Sequence, residues 1–197
     1  MRPAPLVRVP GVDAVYLKKA LDIGAHGVLI PSVNTPEEAR QAVSFSRYPP
    51  YGVRGVSGMT RCAGFGKKLD ERLELAHEIT LLIAQIETKS GLKNVDSIAA
   101  VEGIDILFVG PMDLLVSLGI ARQLEHPDFK AAGEKIVDAA KRHGKAARAL
   151  VIDGNKLADY FGKGFTFVGI GSDGSIIAAG MNAVLENKKM PWVSRLS

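Results

Sequence analysis

One cysteine, one tryptophan and no long apolar run are what this chain of 197 residues has least of. A single cysteine, Cys62, excludes an internal disulfide framework and fits a reducing compartment. No apolar stretch reaches the ~20 residues that span a bilayer, and the opening Met-Arg-Pro-Ala-Pro lacks the apolar core of a signal peptide. A soluble, cytoplasmic protein with no membrane partner is expected. Low-complexity tracts and solenoid repeats are also missing. The net charge of +4 is spread over scattered lysines and arginines, the closest being the pairs Lys67-Lys68 and Lys188-Lys189. That pattern is a solvated surface rather than a nucleic-acid footprint, and no nucleic-acid partner is expected.

What is present is alternation. Short apolar runs at Leu6 to Val9, Gly27 to Pro31, Leu81 to Glu87, Ile104 to Val109, Ala146 to Val151 and Phe165 to Ile170 read as strands buried on both faces. Amphipathic stretches lie between them. Asp13 to Ile23 is stopped by Gly24, and Thr35-Pro36-Glu37-Glu38 combines an N-cap, a first-turn proline and two acids. Further helices are expected over Glu71 to Thr80, Val95 to Val101, Met112 to Leu118, Asp128 to His143, Asp153 to Phe161 and Ser175 to Lys188. The class is α/β, built from βα units around a parallel sheet. Six units suit either an open doubly wound sheet or most of a closed barrel, which usually takes about 250 residues. The Gly- and Pro-rich stretch from Pro49 to Lys68 is the longest irregular segment and reads as an active-site loop.

Three motifs carry chemistry. Gln85 and Glu87 in Ile83-Ala-Gln-Ile-Glu-Thr88 are two apart on a strand and so face the same side. A carboxylate in so apolar a strand calls for a partner or a metal. Asp113 follows Gly110-Pro111 directly after another apolar run, where the glycine permits close approach of a ligand and the next helix offers free amides. Arg54 lies in Tyr48-Pro-Pro-Tyr-Gly-Val-Arg-Gly55, and its guanidinium suits a carboxylate or phosphate. Each alone has a plain structural reading as a cap, an ion pair or a surface charge. Their shared placement at presumed strand ends points instead to a divalent cation holding a small anion. The four histidines, His26, His77, His126 and His143, occupy positions where a structural role is the simpler reading. The turn Gly169-Ile-Gly-Ser-Asp-Gly174 supports a further reading, a phosphate-binding barrel.

These motifs, with Leu21-Asp-Ile-Gly-Ala-His-Gly-Val-Leu-Ile-Pro31, resemble the HpcH/HpaI aldolase family, related to the citrate lyase beta subunit and macrophomate synthase. The resemblance runs from Val7 onward. It implies a single domain, residues 1–197, with the (β/α)₈ TIM barrel of the phosphoenolpyruvate/pyruvate type, about six of whose eight βα units are here. It also implies a class II, metal-dependent aldolase or lyase that makes or breaks a carbon–carbon bond beside a 2-oxo acid, with an aldehyde as the other partner. By motif, Glu87 and Asp113 would bind Mg²⁺ or Mn²⁺. Arg54 and Gln85 would contact the oxo acid, with Arg54 the catalytic cation, and Gly110-Pro111-Met112 would hold its carboxylate. The family's histidine base falls in units preceding this chain's first residue, and nothing here replaces it. The second expectation is therefore a shortened, inactive product that binds only metal or a subunit partner. Arg148, in Lys145-Ala-Ala-Arg-Ala, stands where the family pattern has glycine. A homo-oligomer is expected, with the C-terminal helix near 175–189 packing on a partner subunit.

Overall fold

The computed structural model describes residues 3–151 and 157–186. Its six strands are β1 (Leu6–Arg8), β2 (Gly27–Ile30), β3 (Leu81–Ile86), β4 (Ile106–Val109), β5 (Ala146–Val151) and β6 (Phe167–Ile170). All pair in parallel, in the order β1-β2-β3-β4-β5-β6. That order decides between the two architectures left open by the sequence. A doubly wound sheet must reverse its strand order at a switch point, and this sheet never does. Same-handed crossovers in strict succession lay every helix on one side and curl the sheet. The result is a six-stranded arc of a TIM barrel.

The two faces of the sheet separate accordingly. Val28, Ile30, Leu82, Ala84, Leu107 and Ala147 point to the helices and join the main core. Alternate residues Leu29, Ile83, Ile106 and Phe108 form a smaller cluster on the concave side, joined by Leu6, Ala146 and Phe167. Apolar side chains on both sides explain why the strands read as continuous apolar runs.

Helices α1 (Ala14–Asp22) and α2 (Pro36–Ser46) follow β1 and β2. Asp13 caps α1 by accepting from the N–H groups of Val15 and Tyr16, and Thr35 and Glu38 form a capping box on α2. Gly24, at φ 97°, supplies the left-handed turn that releases the chain from α1 into β2. Downstream come α3 (Leu69–Ile79), α4 (Lys89–Lys93), α5 (Val95–Ala99), α6 (Pro111–Leu118) and α7 (Pro127–Arg142). The last two are α8 (Leu157–Gly162) and α9 (Asp173–Leu185). The expected start of α8 at Asp153 and the expected end of α9 at Lys188 lie outside the described residues. The five-residue helix α4 has no counterpart in the sequence reading, being too short to show a period. Helix α9 buries none of its residues, and leaves Ile176, Ile177 and Met181 more than half exposed. No described helix is long and apolar enough to cross a membrane.

Candidate active site

The C-terminal ends of β1 to β4 open onto a cleft of about 410 Å³ lined by Arg8, Pro31, Ser32, Glu87, Thr88 and Asp113 among others. Glu87 stands one residue past β3, and its inward direction follows from that of Ile83 and Gln85. It is 3% exposed. Oε1 accepts from the backbone N–H and the hydroxyl of Ser32, both at 2.8 Å, and Oε2 accepts from Nε2 of Gln85. The Gln85 amide is buried too, and its Oε1 has no partner among the described residues. Ser32 reaches Glu87 only by adopting φ 51°, a conformation uncommon for a residue with a side chain. Backbone strain of this kind is characteristic of functional sites, where the surroundings over-determine it.

Gly110 closes the floor. A Cβ built there would lie 2.6 Å from Oε2 of Glu87 and 2.7 Å from Nε2 of Gln85. No side chain fits, and the glycine lets β4 end directly against the carboxylate. Its N–H is already bonded to the carbonyl of Ile86, and Pro111 has none. The free amides of the first turn of α6 are therefore those of Met112 and Asp113, rather than Gly110 and Pro111. Asp113 itself is exposed, on the same cleft as Glu87.

Arg54 is not on this cleft. The sequence reading put it after a strand, but it follows α2, which has carried the chain back to the N-terminal rim of the sheet. Val53 N–H donates to Ser44 and Arg54 N–H to Arg47, fastening the loop to the end of α2. The Arg54 side chain is wholly buried; its Nη2 pairs with Oδ1 of Asp22, the last residue of α1, at 2.7 Å. Its guanidinium lies 4.5 Å over the Tyr48 ring. The Pro49-to-Lys68 segment is likewise a structural loop on the rim opposite the cleft, with Cys62 N–H bonded to the Asp22 carbonyl. Burial raises the Tyr48 hydroxyl pKa, against the lowering effect of Arg54.

The cation on the cleft is Arg8, at the end of β1. Leu6 belongs to the concave cluster and Val7 and Val9 to the helix side, so Arg8 faces inward. Sequence reasoning passed over it, although an arginine interrupting Leu-Val-Arg-Val is the signal that finds it. None of the four histidines lines the cleft. His26 N–H bonds to the Pro5 carbonyl at the opposite rim, His77 stacks on Tyr51 at 4.0 Å, and His126 and His143 cap the two ends of α7.

The donor set suits a hard cation. Two carboxylates on one cleft, one of them fixed by three hydrogen bonds, leave most of an oxygen coordination shell open to water or substrate, as Mg²⁺ prefers. No group of three His, Cys, Asp or Glu able to hold a metal occurs among the described residues.

Residues 1–179 match the family described as HpcH/HpaI aldolase/citrate lyase. The chain belongs to that family. Among its relatives is the 5-keto-4-deoxy-D-glucarate aldolase of Shigella boydii serotype 18, 46% identical over 170 residues. That alignment covers 86% of this chain and 66% of the relative, so the chain spans just under two thirds of the length of the curated proteins it matches. A family member from Burkholderia cenocepacia J2315 superposes with a TM-score of 0.89 at 35% identity, over 94% of this chain and 74% of that one. Macrophomate synthase gives 0.80 at 29% identity, over 93% and 65% respectively. Both superpose over nearly the whole of this chain.

Proposed function

We propose that this chain carries the metal and 2-oxo acid site of an aldolase that makes or breaks a carbon–carbon bond beside the oxo group. The observation that carries the proposal is the meeting of Glu87, Asp113 and Arg8 on one cleft at the C-terminal ends of the strands. In a barrel of this kind, that rim is where the chemistry is done.

Glu87 and Asp113 would hold the divalent cation, with Mg²⁺ the first choice and Mn²⁺ the second for an all-oxygen set. The bound cation supplies Lewis-acid polarisation of the oxo group. Gln85 orients Glu87 through Nε2, and Ser32 does so through two donors. The amides of Met112 and Asp113, at the positive end of α6, receive the substrate carboxylate. Arg8 places a guanidinium toward the oxygen on which negative charge grows as the bond breaks. Arg54 takes no part, because its charge is spent on Asp22 at the other rim. The hydroxyl proton of the aldol is not transferred by any of the four histidines from their places in this fold.

The name of the 46% relative, a 5-keto-4-deoxy-D-glucarate aldolase, supports a keto sugar acid as the substrate class. The inactive-product reading gains nothing from the site, whose carboxylates, positioning groups and open amides are all in place. The phosphate-barrel reading loses ground at the Gly169-to-Gly174 turn. There Ser172 and Ser175 close a capping box on α9, and Asp173 adds a negative charge. The exposed apolar row of α9 supports subunit association through that helix.

Isothermal titration with pyruvate, with and without Mg²⁺, tests the assignment. Pyruvate binding should require Mg²⁺ and disappear in Glu87→Gln while the thermal melt is retained. Metal-independent binding, or binding unchanged by Glu87→Gln, overturns the reading.

A further inference from the structure

Arg148 has no hydrogen-bond acceptor among the described residues. It sits in β5 on the concave face, in the registered row Gln85, Phe108, Arg148, Phe167. Its guanidinium carbon lies 4.7 Å from the centre of the Phe108 ring and 4.6 Å from that of Phe167. The rings cover the guanidinium faces, but its five N–H bonds lie in the plane and need acceptors at the edge. Nε is buried without one, and no described residue forms a hydrogen bond or ion pair with any nitrogen of this side chain. The two buried arginines each reach at least one acceptor, Arg47 the Ala76 carbonyl at 2.9 Å and Arg54 Asp22 at 2.7 Å, although Nε and Nη1 of Arg54 are also unpaired among the described residues. Burial lowers the Arg148 pKa, and no neighbouring carboxylate opposes that. A partly buried cation left so is costly, and an unsatisfied polar group in a folded protein asks for a reason.

The neighbouring strand makes room for it. A Cβ on Gly169 would come within 3.0 Å of Nη2 of Arg148, so β6 carries a glycine where the guanidinium passes. The position is also placed with respect to the cleft. Arg8 stands two strands to one side of β3 and Arg148 two strands to the other. At about 4.8 Å per strand, each arginine starts about 10 Å along the sheet from the Glu87 strand. Arg148 is one strand from β4, which leads into the first amides of α6, and shares the registered row of Gln85.

We propose that Arg148 is a second anion-binding residue of the concave face, taking the distal carboxylate of a dianionic substrate and so selecting 2-oxo diacids over 2-oxo monoacids. The placement of the first carboxylate rests on the function proposed above. The guanidinium edge supplies two parallel donors to a carboxylate, with Phe108 and Phe167 holding its plane.

The test compares 2-oxoglutarate with 2-oxopentanoate, which has the same chain length but no second carboxylate, by calorimetry in the presence of Mg²⁺. The wild type should favour the diacid by about tenfold or more, the range of a charge-assisted hydrogen bond. Arg148→Met should remove that preference and leave pyruvate affinity unchanged, and Arg148→Lys should keep part of it. In metal-free protein, the Nε–H resonance of Arg148, identified by its loss in Arg148→Lys, should move on addition of succinate. Where 2-oxo acids bind, no diacid preference in the wild type or a preference that survives in Arg148→Met overturns the proposal, and so does an unmoved resonance. If Mg²⁺ fails to support binding of any 2-oxo acid while succinate still moves the resonance, the aldolase assignment falls and the Arg148 site stands.

Discussion

The backbone N–H and the hydroxyl of Ser32 both donate to Oε1 of Glu87, each at 2.8 Å, tying the end of β2 to the end of β3. The contact fixes one carboxylate rotamer and holds Ser32 at φ 51°. It leaves Oε2, which among the described residues accepts only from Gln85, as the oxygen with spare capacity toward the cleft.

Ser32→Ala keeps the backbone donor and removes the hydroxyl. Outer-sphere donors of this kind are worth about 10- to 100-fold in metal affinity. With one of two donors kept, Mg²⁺ affinity should fall by about tenfold, read by calorimetry. An unchanged affinity would mean that Glu87 needs no help in facing the cation.

Gly110→Ala pushes a methyl group against Glu87 and Gln85, at 2.6 and 2.7 Å. Overpacking of this sort costs about 1–3 kcal/mol. Because the clash falls on the carboxylate proposed to hold the metal, binding of Mg²⁺ should be lost well before the fold is. Chemical denaturation and metal titration on one sample separate the two effects.

Arg54 and Arg8 should respond in opposite ways. Arg54→Met leaves Asp22, 16% exposed at its side chain, with Lys18 as its remaining partner. Breaking a buried pair costs about 3–5 kcal/mol, and the surviving lysine puts this case near the lower figure. The urea midpoint should fall while pyruvate affinity of the folded fraction holds. Arg8→Met, at an exposed position, should change stability by no more than about 0.5 kcal/mol and weaken pyruvate binding. A pyruvate defect confined to Arg54→Met would reverse the assignment.

Asp96, on α5, accepts from Nε and Nη2 of Arg142 at 3.0 and 2.6 Å and contacts His143 at 3.3 Å, joining α5 to the end of α7. The Arg142 hydrogen bonds hold its carboxyl pKa below the usual value; desolvation opposes them, and the His143 contact adds to the lowering. A depressed acid stabilises the folded state above its unfolded pKa, and that stabilisation is lost as pH falls through the folded value. The melting-temperature gap between wild type and Asp96→Asn should therefore be present at neutral pH and close in acid. It should also narrow with added salt, since the cluster is exposed. A gap that persists at the acid end would contradict the assignment.

Local order was legible through most of the described chain, the short helix α4 excepted. The strand expected over Ala146 to Val151 is observed with those bounds, and the others begin or end within two residues of expectation. Gln85, Glu87 and Asp113 were found because each follows an apolar run, and a strand end fixes both the rim and the side on which a residue stands. Arg54 was misplaced because its motif also follows apolar residues, those of α2. A helix returns the chain to the opposite rim, so one misjudged predecessor moves a side chain across the whole sheet. Arg8 was overlooked because a three-residue strand carries almost no periodic signal.

By itself, the sequence determined the alternation of strand and helix, the burial of both sheet faces and the two carboxylates, since these depend on residue type and short spacing. Only the tertiary structure decided that the sheet curls rather than reverses, that Arg8 rather than Arg54 shares a cleft with Glu87, and that Arg148 is left without an acceptor among the described residues. Strand order, crossover direction and register set those relations, and they join residues separated by many positions along the chain.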